Sequence, residues 1–171
     1  MKLSRGTDTA ERVLVVADWT ADAEAVLAVC LQHRELSGGA LRLLVPARLH
    51  GLDWAGDPGA GVPCAQRQLT TVGRLPDAVG FAFEGPAVGD PDPVAAICDA
   101  LHAWPAGEVL LCTRRRGAAV SHPLDLARRT GRLTGLPVSR IQVRPSATPK
   151  PSTGSLRWRS RHCALDRPRT A

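Results

Sequence analysis

The chain has 171 residues, is 44% hydrophobic and carries a formal net charge of +6, so it has the means for one folded domain with an adequate core. Four Trp, two Phe and no Tyr leave that core to aliphatic side chains. No run approaches the length of a membrane span, and the start MKLSRGTDTAER lacks an apolar leader segment. Five scattered cysteines without a CxxC pair argue against a disulfide framework or a zinc site. These features predict a reduced, soluble, cytoplasmic protein.

Arg outnumbers Lys twenty to two beside abundant Ala, Gly and Pro, a compositional bias that makes individual arginines poor evidence of selected fork geometry. Charge is uneven along the chain. Residues 1–143 hold 15 basic and 15 acidic side chains, whereas residues 144–171 hold seven basic and one acidic. The high pI therefore belongs to the tail.

Taken in order, residues 1–11 read as a flexible N-terminus. Arg12–Ala17 is a continuous apolar run of the kind that forms a strand buried on both faces. Asp18-Trp19-Thr20 follows, with Thr20 the expected cap of a helix from about Ala21 to Leu36, in which Val26, Val29, Cys30 and His33 recur at helical spacing. Ser37-Gly38-Gly39 stops it, and Ala40–Val45 is a second strand. The connection from Pro46 to Val62 is long and rich in Gly, Asp and Pro. Pro63 then opens a helix with Ala65, Leu69, Val72 and Pro76 on one face. Phe81–Val88 is expected to be a third strand, interrupted by Gly85-Pro86 and so at an edge. Asp92-Pro93 starts a helix with a buried stripe of Val94, Ile97, Cys98, Leu101 and Trp104. Glu108–Cys112 is a buried strand, residues 113–120 a loop, and Pro123 opens a last helix that Gly135 and Pro137 end. Val138–Val143 alternates as a half-exposed terminal strand would. Beyond Arg144 no apolar period survives, which predicts a disordered basic tail over residues 144–171.

Strand and helix alternate throughout residues 12–143, the pattern of a single doubly wound α/β domain on a five-stranded parallel sheet. Ligands of such sheets bind beside the carboxyl ends of the strands. Arg114, Arg115 and Arg116 fall there, either as an anion site or as a solvated basic loop. Asp18 can meet a ligand's polar edge or help cap the first helix. His50, Asp53, Trp54 and Asp57 in the long connection form either a lid or a loop that packs Trp54 on the sheet rim. Ser121, His122 and Asp125 are too close in sequence to assemble a catalytic triad. Arg157-Trp158-Arg159-Ser160-Arg161-His162 interleaves cations with an aromatic, a pattern that can hold nucleic acid or be an unselected extension.

Three local features resemble the universal stress protein family. Asp18 closes the first strand, where the family has an acidic residue. Gly89-Asp90-Pro91 precedes the third helix, and the fourth strand runs into Thr113-Arg114-Arg115-Arg116-Gly117, where the family has a Ser-Arg-Gly-Arg-Gly type of run. The resemblance implies strand order 3-2-1-4-5, a crevice between the first and fourth strands, and a homodimer through the last strand. Taken with the long connection that carries His50, Asp53 and Trp54, it suggests a ligand site drawn from those residues and Asp18, Trp19, Thr20, Thr113, Arg114, Arg116 and His122, with ATP or another adenine nucleotide as the ligand. Where ATP-binding members place glycines and a Gly-Ser or Gly-Thr, this chain has Cys112, Arg115 and His122-Pro123. A phosphate cradle needs glycine so that backbone N–H groups come close to oxygen. The sequence therefore predicts a non-enzymatic regulatory or stress-associated protein with weak or absent nucleotide binding and no metal. Two alternatives stand beside it. One is a true adenine-nucleotide binder using Arg side chains; the other is a nucleic-acid-associated protein acting through its tail.

Overall fold

In a computed structural model of the chain, the described residues are 9–18, 21–49, 57, 59–74, 82–114 and 123–143. They form five strands and four α-helices, preceded by a 3-10 turn at Thr9–Glu11. The strands are β1 (Val13–Ala17), β2 (Leu41–Pro46), β3 (Ala87–Gly89), β4 (Glu108–Arg114) and β5 (Val138–Val143). The helices are α1 (Ala23–Ser37), α2 (Val62–Arg74), α3 (Pro93–Ala103) and α4 (Pro123–Thr134). All strand pairings are parallel, in the order β3-β2-β1-β4-β5.

The central strands are apolar because both their faces are covered, and alternate residues serve different layers. Val13, Val15, Ala17, Leu41, Leu43, Val45, Leu110 and Cys112 pack with Val26 and Cys30 of α1 and with Ala65 and Val72 of α2. Leu14, Val16, Leu44, Val109 and Leu111 pack on the other side with Ala96 and Ile97 of α3, and with Leu126 and Ala127 of α4. The edge strand serves both layers: Ile141 and Val143 meet the first, Val138 the second.

Local chemistry shifts several expected boundaries. Asp22, not Thr20, caps α1: its backbone is extended and its Oδ1 accepts from Ala25 N at 2.9 Å. Gly38, at φ 70°, ends the helix in the left-handed conformation. The third strand is only three residues long. Gly85 turns at φ 56° and Pro86 has no N–H to give, so extended pairing begins after them, while Phe81 lies outside the described residues. β4 extends two residues into the expected loop, through Thr113 and Arg114, because β5 pairs alongside up to Val143. Cys98 is exposed rather than core: Ala96 and Ala100 take the sheet-facing positions on α3.

Gly89 permits that close approach of α3. A Cβ there would stand 2.6 Å from Ala96 Cβ and 2.9 Å from Leu44 Cδ1. The following Asp90-Pro91-Asp92 is a helix entry: Asp90 Oδ1 accepts from Asp92 N at 2.8 Å, and Asp92 Oδ1 from Val94 N at 3.0 Å.

At the amino end of the sheet, Trp104 is 7% exposed and lies between two guanidinium groups. Arg42 is 4.9 Å and Arg12 5.5 Å from its ring centroid, and its indole N–H donates to Glu84 at 3.2 Å. Nearby, Glu108 accepts from Ser139 Oγ at 2.7 Å and lies 3.2 Å from His33 Nε2.

Candidate functional site

The chain leaves β1 and β4 in opposite directions, since β1 is followed by a crossover to β2 and β4 by a crossover to β5 on the other side. Loops that diverge in this way open a crevice at the carboxyl ends of the two strands. The register puts Ala17 opposite Cys112, and Asp18 N donates to Cys112 O at 3.3 Å. Asp18 and Thr113 therefore stand side by side at the crevice.

Asp18 is held once through its backbone and once through its carboxylate. Its own carbonyl accepts from Ala21 N at 2.8 Å, fixing the turn into α1. Its Oδ2 lies 3.1 Å from Arg48 Nη1, in an ion pair whose side chains are 14% (Asp18) and 46% (Arg48) exposed. Arg48 follows β2, and its position is set by tight backbone packing. Ala47 N donates to Gly89 O at 3.0 Å, and a Cβ on Gly61 would stand 2.0 Å from Ala47 O. From α2, Gln68 Nε2 donates to Ala21 O at 2.8 Å and ties that helix to the same turn. Thr113 is half-buried, and its hydroxyl accepts from Arg140 Nε of β5 at 3.4 Å.

Asp18, Thr113 and the backbone of Arg114 are thus brought to one edge, and Arg48 joins them. Trp19, Thr20, His50, Asp53, Trp54, Arg116 and His122 lie outside the described residues. Arg48 and Gln68 are absent from the sequence-based set. A signal for Arg48 existed, because it comes two residues after the end of β2 and so has to lie at the carboxyl edge. Nothing in the helical pattern of α2 marks Gln68.

Cys112, expected from the resemblance to stand at the phosphate cradle, belongs to the core. It is fully buried, and burial pushes its thiol up to about 12. Cys30 is buried in the same cluster, and its thiol is raised further by burial and then by the neighbouring Cys112. Neither thiol reaches a ligand. Among the described residues no group of three His, Cys, Asp or Glu side chains is arranged to hold a metal ion, and no helix is long and apolar enough to cross a membrane.

No protein-family model matches the chain, and no curated protein sequence does. Solved structures do. A universal stress protein family member from Burkholderia pseudomallei superposes with a TM-score of 0.55 at 16% identity, covering 81% of this chain and 100% of that one. The universal stress protein of Archaeoglobus fulgidus gives 0.53 at 18% identity, covering 77% and 93%. A structure of the Archaeoglobus fulgidus protein in complex with dAMP gives 0.52 at 19% identity, covering 78% and 99%. With its five parallel strands in the order 3-2-1-4-5, the chain has the universal stress protein fold.

Proposed function

We propose that the chain is a non-enzymatic, universal stress protein-like regulatory protein of the cytoplasm that binds an adenine nucleotide weakly in the crevice between β1 and β4. The observation that carries this reading is the Asp18 carboxylate, held beside Thr113 at the point where the loops diverge and turned toward Arg48. The dAMP bound by the Archaeoglobus fulgidus protein supports the ligand class. Weakness follows from the backbone: without the glycines that let N–H groups approach phosphate, close contacts are lost. Arg48 supplies a fixed cation at the same edge, which favours an anionic ligand but offers one charge where a cradle offers several donors. Protein partners, reached through a β5-to-β5 homodimer, would then carry the regulatory effect.

Calorimetry with dAMP and with ATP tests the reading. The expected dissociation constant is no tighter than about 100 µM, and Asp18→Asn weakens binding by about fivefold to tenfold, the loss of one charge-assisted hydrogen bond. Low-micromolar ATP affinity would contradict the account of the missing cradle. Unchanged affinity in Asp18→Asn would remove the site.

A further inference from the structure

The neutrality of residues 1–143 conceals a division that the fold turns into a spatial one. Among the described residues, 109–143 hold five basic and one acidic residue, a net of +4, whereas 9–108 hold six basic and eleven acidic, a net of −5. Of the five strands, only β4 and β5 and the helix between them belong to the cationic segment, and they form one side of the sheet. The opposite side, with α1, α2 and α3, carries the acidic excess.

Three of those five basic residues, Arg128, Arg129 and Arg132, lie on α4. This helix turns Leu126, Ala127 and the fully buried Thr130 toward the molecule. At 100° per residue, Arg128, Arg129 and Arg132 fall together on the opposite surface, within an arc of about 100°. All three are exposed, and none makes an ion pair or hydrogen bond with a described residue. Arg128 and Arg132 are four apart, a like-charge spacing that works against the helix unless an anion is near. Leu133, at 66% exposure, is the one exposed large apolar side chain on α4 among the described residues. One leucine is too little apolar surface to enter a bilayer.

We propose that this outer face of α4 is a docking surface for the phosphate backbone of a nucleic acid, read without regard to sequence. Closely spaced, forked and unpaired guanidinium groups suit a polymer with regularly repeated phosphates. The surface is separate from the Asp18 crevice and does not depend on the nucleotide reading.

Fluorescence anisotropy with a labelled single-stranded oligodeoxynucleotide tests the full-length chain across about 50 to 200 mM salt. Binding is expected at low salt and should fall steeply as salt rises. The double variant Arg128→Glu/Arg129→Glu should lose at least about tenfold in affinity and flatten the salt slope by about 1.4, two phosphate contacts at about 0.7 each. Arg67→Glu/Arg74→Glu on α2 makes the same change in net charge and should stay within about twofold of the parent. Melting curves establish that each variant folds; should the Glu pair not fold, Arg128→Gln/Arg129→Gln carries the test. Equal losses from both faces would reduce the effect to net charge and overturn the proposal, as would absence of binding at low salt. Salt-sensitive self-association that the α4 variant abolishes, with no oligonucleotide bound, would also overturn it and make the acidic side of a second copy the occupant.

Discussion

The two ends of these parallel strands are finished in different ways. At the amino end, Trp104 lies between Arg12 and Arg42 and donates to Glu84, while Glu108 draws together His33 and Ser139. Polar groups there meet polar groups from other elements, although Glu84 and Ser139 stay exposed to water. At the carboxyl end, tight packing turns on two glycines: Gly61 against the Ala47 carbonyl, Gly89 against the side chains of Ala96 and Leu44. The side chains presented there, Asp18 and Arg48, remain partly open to solvent. One end links its polar side chains across several elements, and the other holds a single ion pair beside the diverging loops.

Three substitutions sharpen or break that contrast. Trp104→Ala should have the largest effect. Losing a nearly buried indole, its N–H bond and two stacked cations should cost about 3–5 kcal/mol, read as a large drop in denaturation midpoint. A loss below about 1 kcal/mol would mean the cluster around Trp104 does not stabilise the amino end. Gly61→Val comes next. A side chain cannot fit 2.0 Å from a carbonyl oxygen, so the α2 entry must shift, at about 1–3 kcal/mol. Because Arg48 adjoins Ala47, the same variant should also weaken dAMP binding; unchanged binding would uncouple the backbone packing from the crevice. Asp18→Asn should change stability least, by less than about 1 kcal/mol, since the pair it breaks is partly solvated. A larger loss would assign Asp18 to the structure rather than to a ligand.

The sequence reveals the layers of this fold far better than its edges. Runs such as Val13–Ala17 and Leu41–Val45 announce strands covered on both faces, and the structure divides their residues between two cores. Asp92-Pro93 and Gly135 mark helix ends because their backbone chemistry is local. Legibility fails where a neighbour decides. Cys98 sits within the helical stripe yet outside the core, because the absent side chain of Gly89 draws α3 onto Ala96. Thr113 and Arg114 are strand because β5 lies beside them, which no residue before 115 could indicate. The site divides in the same way. Asp18 and Thr113 are foreseeable as strand-end neighbours, whereas the Arg48 pairing depends on how the backbone after β2 is pinned by residues 61 and 89.

The register of the central strand also has consequences for how the chain comes into being. β1 is paired on one side with β2, starting from Val13 with Leu41, but on the other with β4, starting from Val13 with Glu108. On a ribosome, the first partner follows soon after β1 emerges, while the second trails by about 5–20 s at ordinary elongation rates. For that interval the sequence VLVVA shows water an unpaired and very apolar edge. Contacts of such long sequence separation slow folding and extend the exposure after release. The nascent chain is therefore most vulnerable to aggregation before β4 is made. Its yield should depend more on chaperone capacity during synthesis than on the stability of the finished sheet.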